Sequence, residues 1–108
     1  MTSTIKRLGA TTVVADTNTD LYTVPASTST VVSTIQVCNI GTSERTFRIA
    51  IRDGAISNED YLFYDVTIGA NDSFAATAGY TMATTNVITV RASHADIVFS
   101  AFGTEVTQ

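Results

Sequence analysis

The sequence is short of the residue types that build chemical sites. It contains no tryptophan, a single histidine at His94 and a single cysteine at Cys38. One cysteine excludes an intrachain disulfide, and one histidine leaves a hydrolytic triad only one base. His94 and Cys38 would have to meet in space to act as a dyad, whereas a turn histidine and a small core cysteine explain both residues more simply. We therefore predict no enzymatic activity and no cofactor.

Charged residues are scarce as well, at 15% of the chain, and ten acidic residues outnumber six basic ones. The net charge of −4 argues against direct nucleic-acid binding, because that function needs a concentrated basic surface to neutralise phosphates. Threonine and serine supply most of the remaining polarity. A small domain with so little charge is suited to packing against other proteins, so we expect it to assemble with partners.

Long apolar runs are missing too. No stretch is long enough to span a membrane, and the N-terminal segment MTSTIKRLGATTVVA is too diluted by threonine for a signal peptide. We therefore predict no membrane partner and synthesis in a cytoplasm. The six glycines are isolated from one another, which is not the pattern of a phosphate-binding loop.

The acidic loop of residues 53 to 60 is the best place for a metal ion. Its oxygen-bearing side chains are those of Asp53, Asn58, Glu59 and Asp60. Their spacing does not match a Ca²⁺-binding loop, which alternates Asp or Asn and adds a glycine and a distal Glu. Solvated loop acids are the simpler interpretation. We predict no metal site and leave open whether this loop binds a cation.

Strand signals dominate the rest of the chain. The clearest is residues 45 to 53, which alternate with period two. The inward set there is Phe47, Ile49 and Ile51, and the outward set is Arg48, Ala50 and Arg52. With Ile35 and Val37 from the longest strand, the inward set is predicted to form the core. Strands are predicted at residues 10–15, 21–24, 31–40, 45–53, 61–68, 73–78, 86–92 and 97–102.

This spacing of short strands and turns predicts an all-β fold. We expect an antiparallel β-sandwich of about eight strands, with jelly-roll or immunoglobulin-like connectivity. Residues 1–9 are polar and are predicted to form an extended arm rather than a strand. Residues 10–108 are predicted to form a single domain.

Partner contacts are predicted for residues on the arm, on the outward face of a strand and among aromatic side chains expected to be exposed. They are Lys6, Arg7, Arg48, Arg52, Phe63 and Tyr80. If residues 45–53 and 61–68 pair as a hairpin, the outward arginines should form a cross-strand ion pair with Asp65.

Sugar binding is an alternative use of the aromatic side chains. Tyr61, Phe63 or Tyr80 would then serve as platforms for a glycan. Because the sequence has no tryptophan and its aromatics alternate with core positions, packing in the core or at an interface is the favoured interpretation.

Four segments carry a resemblance to a known group of proteins. They are LYTVPASTSTVVSTIQVCN, RTFRIAIR, YLFYDVTI and IVFSAFGTEV, and together they span about residues 21 to 106. The shared pattern runs Tyr-x-Val-Pro-Ala, Val-Val-Ser-x-Ile-x-Val-Cys-Asn, Phe-Arg-Ile-Ala, Tyr-Leu-x-Tyr-Asp and Phe-x-Ala-Phe-Gly. In these segments the chain resembles small virion structural proteins of tailed phages, typified by those of cyanophages.

The resemblance implies a structural role on a virion and no catalytic residues. The favoured placement is a capsid decoration, or cement, protein on the outer capsid surface, which stabilises the head. Its partners would then be the major capsid protein and copies of itself, with a trimer favoured, and the polar arm could lie across a neighbouring subunit. A tail, neck or baseplate component is the alternative placement, and a glycan-binding module is a third.

Overall fold

A computed structural model describes residues 2–108 and places them in nine β-strands joined by turns. In chain order the strands are β1 (Thr2–Thr12), β2 (Thr19–Thr23), β3 (Thr28–Asn39), β4 (Arg45–Arg52), β5 (Tyr61–Ile68), β6 (Ser73–Ala76), β7 (Tyr80–Met82), β8 (Val87–Ala92) and β9 (Ile97–Thr107). A single 3₁₀ turn at Asn58–Asp60 precedes β5. The described part of the chain contains no helix long and apolar enough to cross a membrane.

The strands form two antiparallel sheets that pack face to face. The first sheet has the order β1-β9-β3-β6, with β7 also paired to β3, and the second sheet has the order β2-β8-β4-β5. Strand β1 therefore pairs with β9, β2 with β8, β3 with β6 and β7, and β4 with β5. One long antiparallel ribbon folds over itself to supply both sheets, which is the jelly-roll connectivity. The predicted antiparallel β-sandwich is confirmed.

The first and last strands are longer than the sequence pattern predicts. The interpretation of residues 1–9 as an arm outside any strand is wrong for residues 2–9, which form most of β1 and pair with β9. Likewise, β9 continues to Thr107 instead of ending at Phe102. Ladder hydrogen bonds hold both segments, and their polar side chains give no apolar alternation that a sequence pattern could reveal.

The core lies between the two sheets and is built by alternate residues of the long strands. Four of the predicted core residues are fully buried, namely Ile35, Val37, Phe47 and Ile49, whereas Ile51 is half-buried. The ring of Phe47 lies at the centre, with its centroid 5.5 Å from that of Phe74 and 6.3 Å from that of Phe99. Burial of each such side chain stabilises the fold by about 1.5–3 kcal/mol.

Asn39 is a fully buried polar residue that shapes the turn from β3 into β4. Its Nδ2 donates hydrogen bonds to the carbonyl oxygens of Ser43 at 2.8 Å and Ile68 at 3.2 Å. Its Oδ1 accepts a hydrogen bond from the Gly41 N–H at 2.9 Å. Because its amide is satisfied on both sides, Asn39 is buried without leaving an unpaired polar group and holds this connection between the sheets in one conformation.

Strand β5 does not alternate with a period of two. It holds extra residues relative to β4, one of them between Phe63 and Val66. Each bulge reverses which alternate residues face the core. Phe63 and Val66 therefore pack against the core, while Tyr64 and Asp65, which lie between them, are exposed. The prediction that Phe63 is exposed is therefore wrong. Asp65 itself has φ of 53°, a left-handed conformation that aspartate tolerates better than most residues.

Both neighbours of β9 bulge at the same level. Leu8 is the extra residue in β1 and Ser33 is the extra residue in β3, and both lie beside Phe102. There the β3 backbone comes so close to Gly103 that a Cβ atom at this position would overlap the carbonyl oxygen of Val31. The close approach of two backbones therefore requires glycine at position 103.

Replacing Gly103 with alanine should lower the free energy of unfolding by about 1–3 kcal/mol, because the added methyl group must displace the backbone of β3. Gly69→Ala is the matched control, since the nearest atom to its added Cβ would be the Cβ of Asp72 at 4.0 Å. Urea denaturation of both variants, followed by circular dichroism, measures the difference. Equal stability of G103A and G69A would contradict this requirement for glycine.

Candidate interaction surfaces

The outer face of the second sheet carries matched arginine and aspartate side chains. Three pairs lie there: Arg48 with Asp65 at 2.6 Å, Arg52 with Asp20 at 3.0 Å and Arg91 with Asp16 at 4.0 Å. Arg48 and Arg91 stand directly opposite each other on β4 and β8. Like charges in that position repel, and the neighbouring aspartates compensate for them. The charges of this face are therefore largely balanced within the domain.

The predicted cross-strand ion pair is formed by Arg48. Its Nε and Nη2 donate to the two carboxylate oxygens of Asp65 at 2.6 and 3.2 Å, and its guanidinium lies 4.1 Å from the ring centroid of Tyr64. The hydrogen bonds from Arg48 hold the pKa of the Asp65 carboxyl below its ordinary value. The contribution of this pair to stability is thus present at neutral pH and is lost as the pH falls through the lowered pKa of Asp65. Because Asp65 is exposed, that contribution is small.

Arg52 is occupied by contacts that join three strands. Its Nε donates to Thr89 Oγ1 at 2.9 Å, its Nη1 to the Gly54 carbonyl oxygen at 2.8 Å, and its Nη2 to the Asp20 carboxylate at 3.0 and 3.1 Å. The hydroxyl of Thr89 also donates to Asp20 at 3.2 Å. Arg52 therefore links β4 to β2 and β8, and its donors are largely used inside the domain.

A shallow depression of about 30 Å³ lies between Arg48 and Arg91. Asp65 and Asp16 are also on its walls, so opposite charges are present in equal number. The hydroxyl of Ser93, a further wall residue, already accepts a hydrogen bond from a backbone N–H at 3.0 Å. This balance gives no net attraction for an ion, and we assign the depression no ligand.

Lys6 belongs to a polar chain that joins the two sheets at one end of the sandwich. Its Nζ lies 3.4 Å from Oε1 of Glu105. The hydroxyl of Tyr22 donates to Oε2 of Glu105 at 2.5 Å and lies 2.8 Å from the Thr30 hydroxyl. Burial, reinforced by the hydrogen bond to Glu105, raises the pKa of Tyr22 to about 12. Since Tyr22 is in the second sheet and the other three residues are in the first, these contacts fix the sheets to each other.

The outer face of the first sheet is, in contrast, almost free of charge. Its outward side chains follow from the strand registers: Ser3, Ile5, Arg7, Ala10 and Thr12 from β1, Val98, Ser100, Phe102, Thr104 and Val106 from β9, Ser29, Val31, Thr34, Gln36 and Cys38 from β3, and Ser73, Ala75 and Thr81 from β6 and β7. Among the residues described, Arg7 is the one charged side chain on this face. Three large apolar side chains are exposed there, with Ile5 at 86%, Val31 at 42% and Phe102 at 38%.

These three apolar residues are absent from the contacts that the sequence predicts. Phe102 could have been found by extending the alternation of β9, since Phe99 and Ala101 are buried. Val31 could not, because the bulge at Ser33 separates it from the alternation of Ile35 and Val37. Ile5 could not, because its neighbours in residues 2–7 are polar on both faces and give no alternation. Arg7 is the predicted contact residue that the structure does place on this face, beside Phe102 on the adjacent strand.

Two aromatic side chains that the sequence predicts to be exposed are half-buried instead. The ring of Phe63 lies 5.2 Å from that of Phe74, and Tyr80 packs against the core from β7. Tyr80 is opposite the buried Val32, so the two side chains share the inward face. The exposed aromatic side chain of the second sheet is Tyr64, whose ring is covered on one side by Arg48.

The residues with potential chemistry are engaged in local contacts. The Nδ1 atom of His94 accepts a hydrogen bond from the N–H of Asp96 at 3.2 Å and lies 3.1 Å from its carboxylate. Cys38 is half-buried on the outer face of the first sheet, opposite Val98, and not in the core as predicted. In the 53–60 loop, Asp60 accepts a hydrogen bond from the Ser57 N–H at 2.9 Å. Within residues 2–108, no three acidic, histidine or cysteine side chains cluster to hold a metal ion.

Comparison with known proteins adds no relative. No protein-family model matches the chain, and no curated protein matches it in sequence. The resemblance to phage virion proteins therefore stays an expectation, and the two unlike faces of the sandwich are the features that bear on function.

Replacing Tyr22 with phenylalanine should lower the free energy of unfolding by about 1–3 kcal/mol at pH 8, because the Thr30 and Glu105 side chains lose a hydrogen-bond partner. The tyrosine hydroxyl is harder to ionise in the folded state, so its stabilising effect is complete below about pH 10 and declines as the pH rises toward about 12. The difference between the wild type and Y22F should therefore shrink over that range.

Urea denaturation at pH 8 and at pH 11.5 measures this difference, and Tyr64→Phe is the control because that ring is exposed. A Y22F variant as stable as the wild type at pH 8 would contradict the structural role of the hydroxyl. So would a difference that is the same at both pH values.

Proposed function

We propose that the protein is a structural component of a tailed-phage virion, where it binds the outer surface of the capsid as a decoration protein and stabilises the head. The observation that carries the proposal is the outer face of the first sheet, a broad surface on which the described residues supply a single charge and three exposed apolar side chains. A face of this composition is better suited to contact with protein than to solvent.

The connectivity supports a virion role without deciding it. Jelly rolls form viral capsid domains, lectins and cupins, so the fold is compatible with the proposed placement but also with other functions. The resemblance of residues 21 to 106 to small phage virion proteins favours the first of these uses. A tail, neck or baseplate component remains the alternative placement, and it would use the same face against a different partner.

The two faces suggest how the domain would sit on the capsid. On the second sheet, Arg48 and Arg52 are bound to aspartates of the same chain, so a partner would have to break those pairs to use them. The first sheet requires no such exchange, because threonine, serine and apolar side chains can be covered at little cost. We therefore propose that the first sheet faces the shell, with Arg7 as its charged contact, and that the second sheet faces solvent.

The domain would stabilise the head because the same contact is repeated over the whole shell. A single contact of this kind is weak, but a shell presents the same site many times, and a ligand that binds only the assembled state shifts the equilibrium toward it. The predicted arm has no part in this mechanism, because residues 2–9 are paired with β9 and are held within the domain.

The substitution Val31→Lys should reduce occupancy on purified virions at least tenfold, since an unpaired charge buried at the contact costs more than about 1.4 kcal/mol. The control is Val14→Lys, which adds the same charge at an exposed apolar residue in the turn after β1. Quantitative mass spectrometry measures the ratio of this protein to the major capsid protein in virions carrying each variant.

For the wild type we expect a copy number in proportion to the capsid subunits, and for V14K a similar value. A wild type present in only a few copies per particle would contradict capsid decoration and support the tail or neck. Equal occupancy of V31K and V14K would contradict the role of the first sheet.

A further inference from the structure

Within residues 2–108, the free edge of β1 is the one long, regular and unprotected strand edge of the sandwich. β1 pairs with β9 on one side and ends the first sheet on the other. Residues 2–7 oppose β9 without interruption before the bulge at Leu8, and all six are exposed. An edge of this kind presents a row of backbone N–H and C=O groups that can pair with another strand.

The other edges are blocked in ways that proteins commonly use. At the far side of the first sheet, β6 and β7 have only four and three residues. In the second sheet, β2 has five residues interrupted by a bulge, and β5 is bulged at two places. Short and bulged edges resist strand addition. The contrast singles out β1.

We propose that two copies of this chain pair through β1, antiparallel and about a two-fold axis, to join their first sheets into one continuous sheet. A second copy is the natural occupant because an antiparallel strand edge is complementary to itself. Residue i of one copy then faces residue j of the other, and j faces i. This inference concerns self-association and does not depend on the proposed virion role.

Strand geometry restricts where the two-fold axis can lie. Side chains alternate between the faces of a strand, and directly opposed residues share a face. The axis must therefore pass beside a residue and not between two residues. An axis at Ser3 pairs too few residues of the edge, and an axis at Lys6 sets lysine against lysine. Axes at Thr4 and Ile5 remain, and each pairs five residues.

The axis at Ile5 is favoured by the most exposed apolar side chain. Ile5 is 86% exposed in the single chain, and this axis places it directly opposite the partner's Ile5. Thr104 on β9 is its outer-face neighbour within the chain, with Val31 beyond it on β3, so the partner's Ile5 would be the nearest apolar cover on this face. The axis at Thr4 would instead place Ile5 opposite the partner's Ser3 and leave much of the side chain exposed.

Charges on the edge are compatible with the Ile5 axis. Arg7 would face the partner's Ser3, and Lys6 would face the partner's Thr4, so no like charges are directly opposed. Thr4 is itself opposite Glu105 on β9. Lys6 contacts Glu105 of its own chain at 3.4 Å. On its other side, the partner's Thr4 would come next, followed by the partner's Glu105. Each lysine lies between two carboxylates.

Sedimentation equilibrium over a range of concentrations tests the association. We expect the wild type to reach twice the chain mass of 11.5 kDa. Ile5→Lys should weaken the dimer at least tenfold, because it places two like charges across the axis. Val14→Lys, which changes another exposed apolar residue, one outside the edge, should leave the dimer intact. A wild type that stays monomeric, or that forms the trimer expected from the sequence, would overturn the proposal, and so would equal dimerisation by I5K and V14K.

Disulfide trapping tests the register and does not rely on a destabilising change. In a Cys38→Ser background, Ile5→Cys should cross-link two chains on mild oxidation, because directly opposed Cα atoms lie about 4.5–5.5 Å apart, within the range of a disulfide. Thr4→Cys is the control, since about this axis the two cysteines are two residues out of register. Cross-linking of T4C in preference to I5C would overturn the Ile5 axis, and cross-linking of neither would overturn the pairing.

Discussion

The pairing of the last strand between β1 and β3 is the constraint on which the rest of the structure depends. β9 lies inside the first sheet, with β1 on one side and β3 on the other. Both neighbours bulge beside Phe102, and Gly103 allows the β3 backbone to approach at that point. Because β1 precedes and β9 follows all the other strands described, the sandwich closes only when these two distant strands pair.

The position of β9 also determines which side chains lie in the core and which lie on the outer face of the sheet. Once β9 is in place, its alternate residues Phe99 and Ala101 enter the core, while Phe102 is directed outward. Glu105, further along the same strand, reaches Tyr22 in the opposite sheet. The first sheet is therefore stabilised by backbone pairing and by the core. Its outward residues are mostly threonine, serine and apolar side chains, so this face has few charges. On the second sheet, arginines and aspartates from neighbouring strands neutralise each other.

Much of the fold could be predicted from alternation alone. The sandwich and the core residues Ile35, Val37, Phe47 and Ile49 follow from period-two patterns in β3 and β4, and the ion pair of Arg48 with Asp65 follows from the expected pairing of β4 with β5. Residues 2–9 could not be recognised as a strand, because both faces of that segment are polar and its hydrogen-bond partner is nearly one hundred residues away. The inward position of Phe63 was equally hidden, since a bulge shifts the alternation without leaving a mark in the sequence.

The candidate surface was harder to predict than the fold, because it depends on which distant strands become neighbours. Sequence patterns indicate the side that is buried, and they say little about how outward residues from distant strands combine. Arg48 and Arg52 stand out in the sequence as charges on a clean strand, yet the structure pairs both within the domain. Ile5, Val31 and Phe102 come from three strands and form one apolar area only after β9 has entered the sheet.

Our central proposal is that the outer face of the first sheet, on which Arg7 is the one charged side chain described, is the surface by which the domain attaches to a capsid. A cryo-electron microscopy reconstruction of the virion tests it most directly. The account predicts density for the sandwich across the outer shell, with Val31 and Phe102 turned toward the capsid and Tyr64 toward solvent. Density confined to the neck or tail, or a domain bound to the shell through Arg48 and Tyr64, would contradict it.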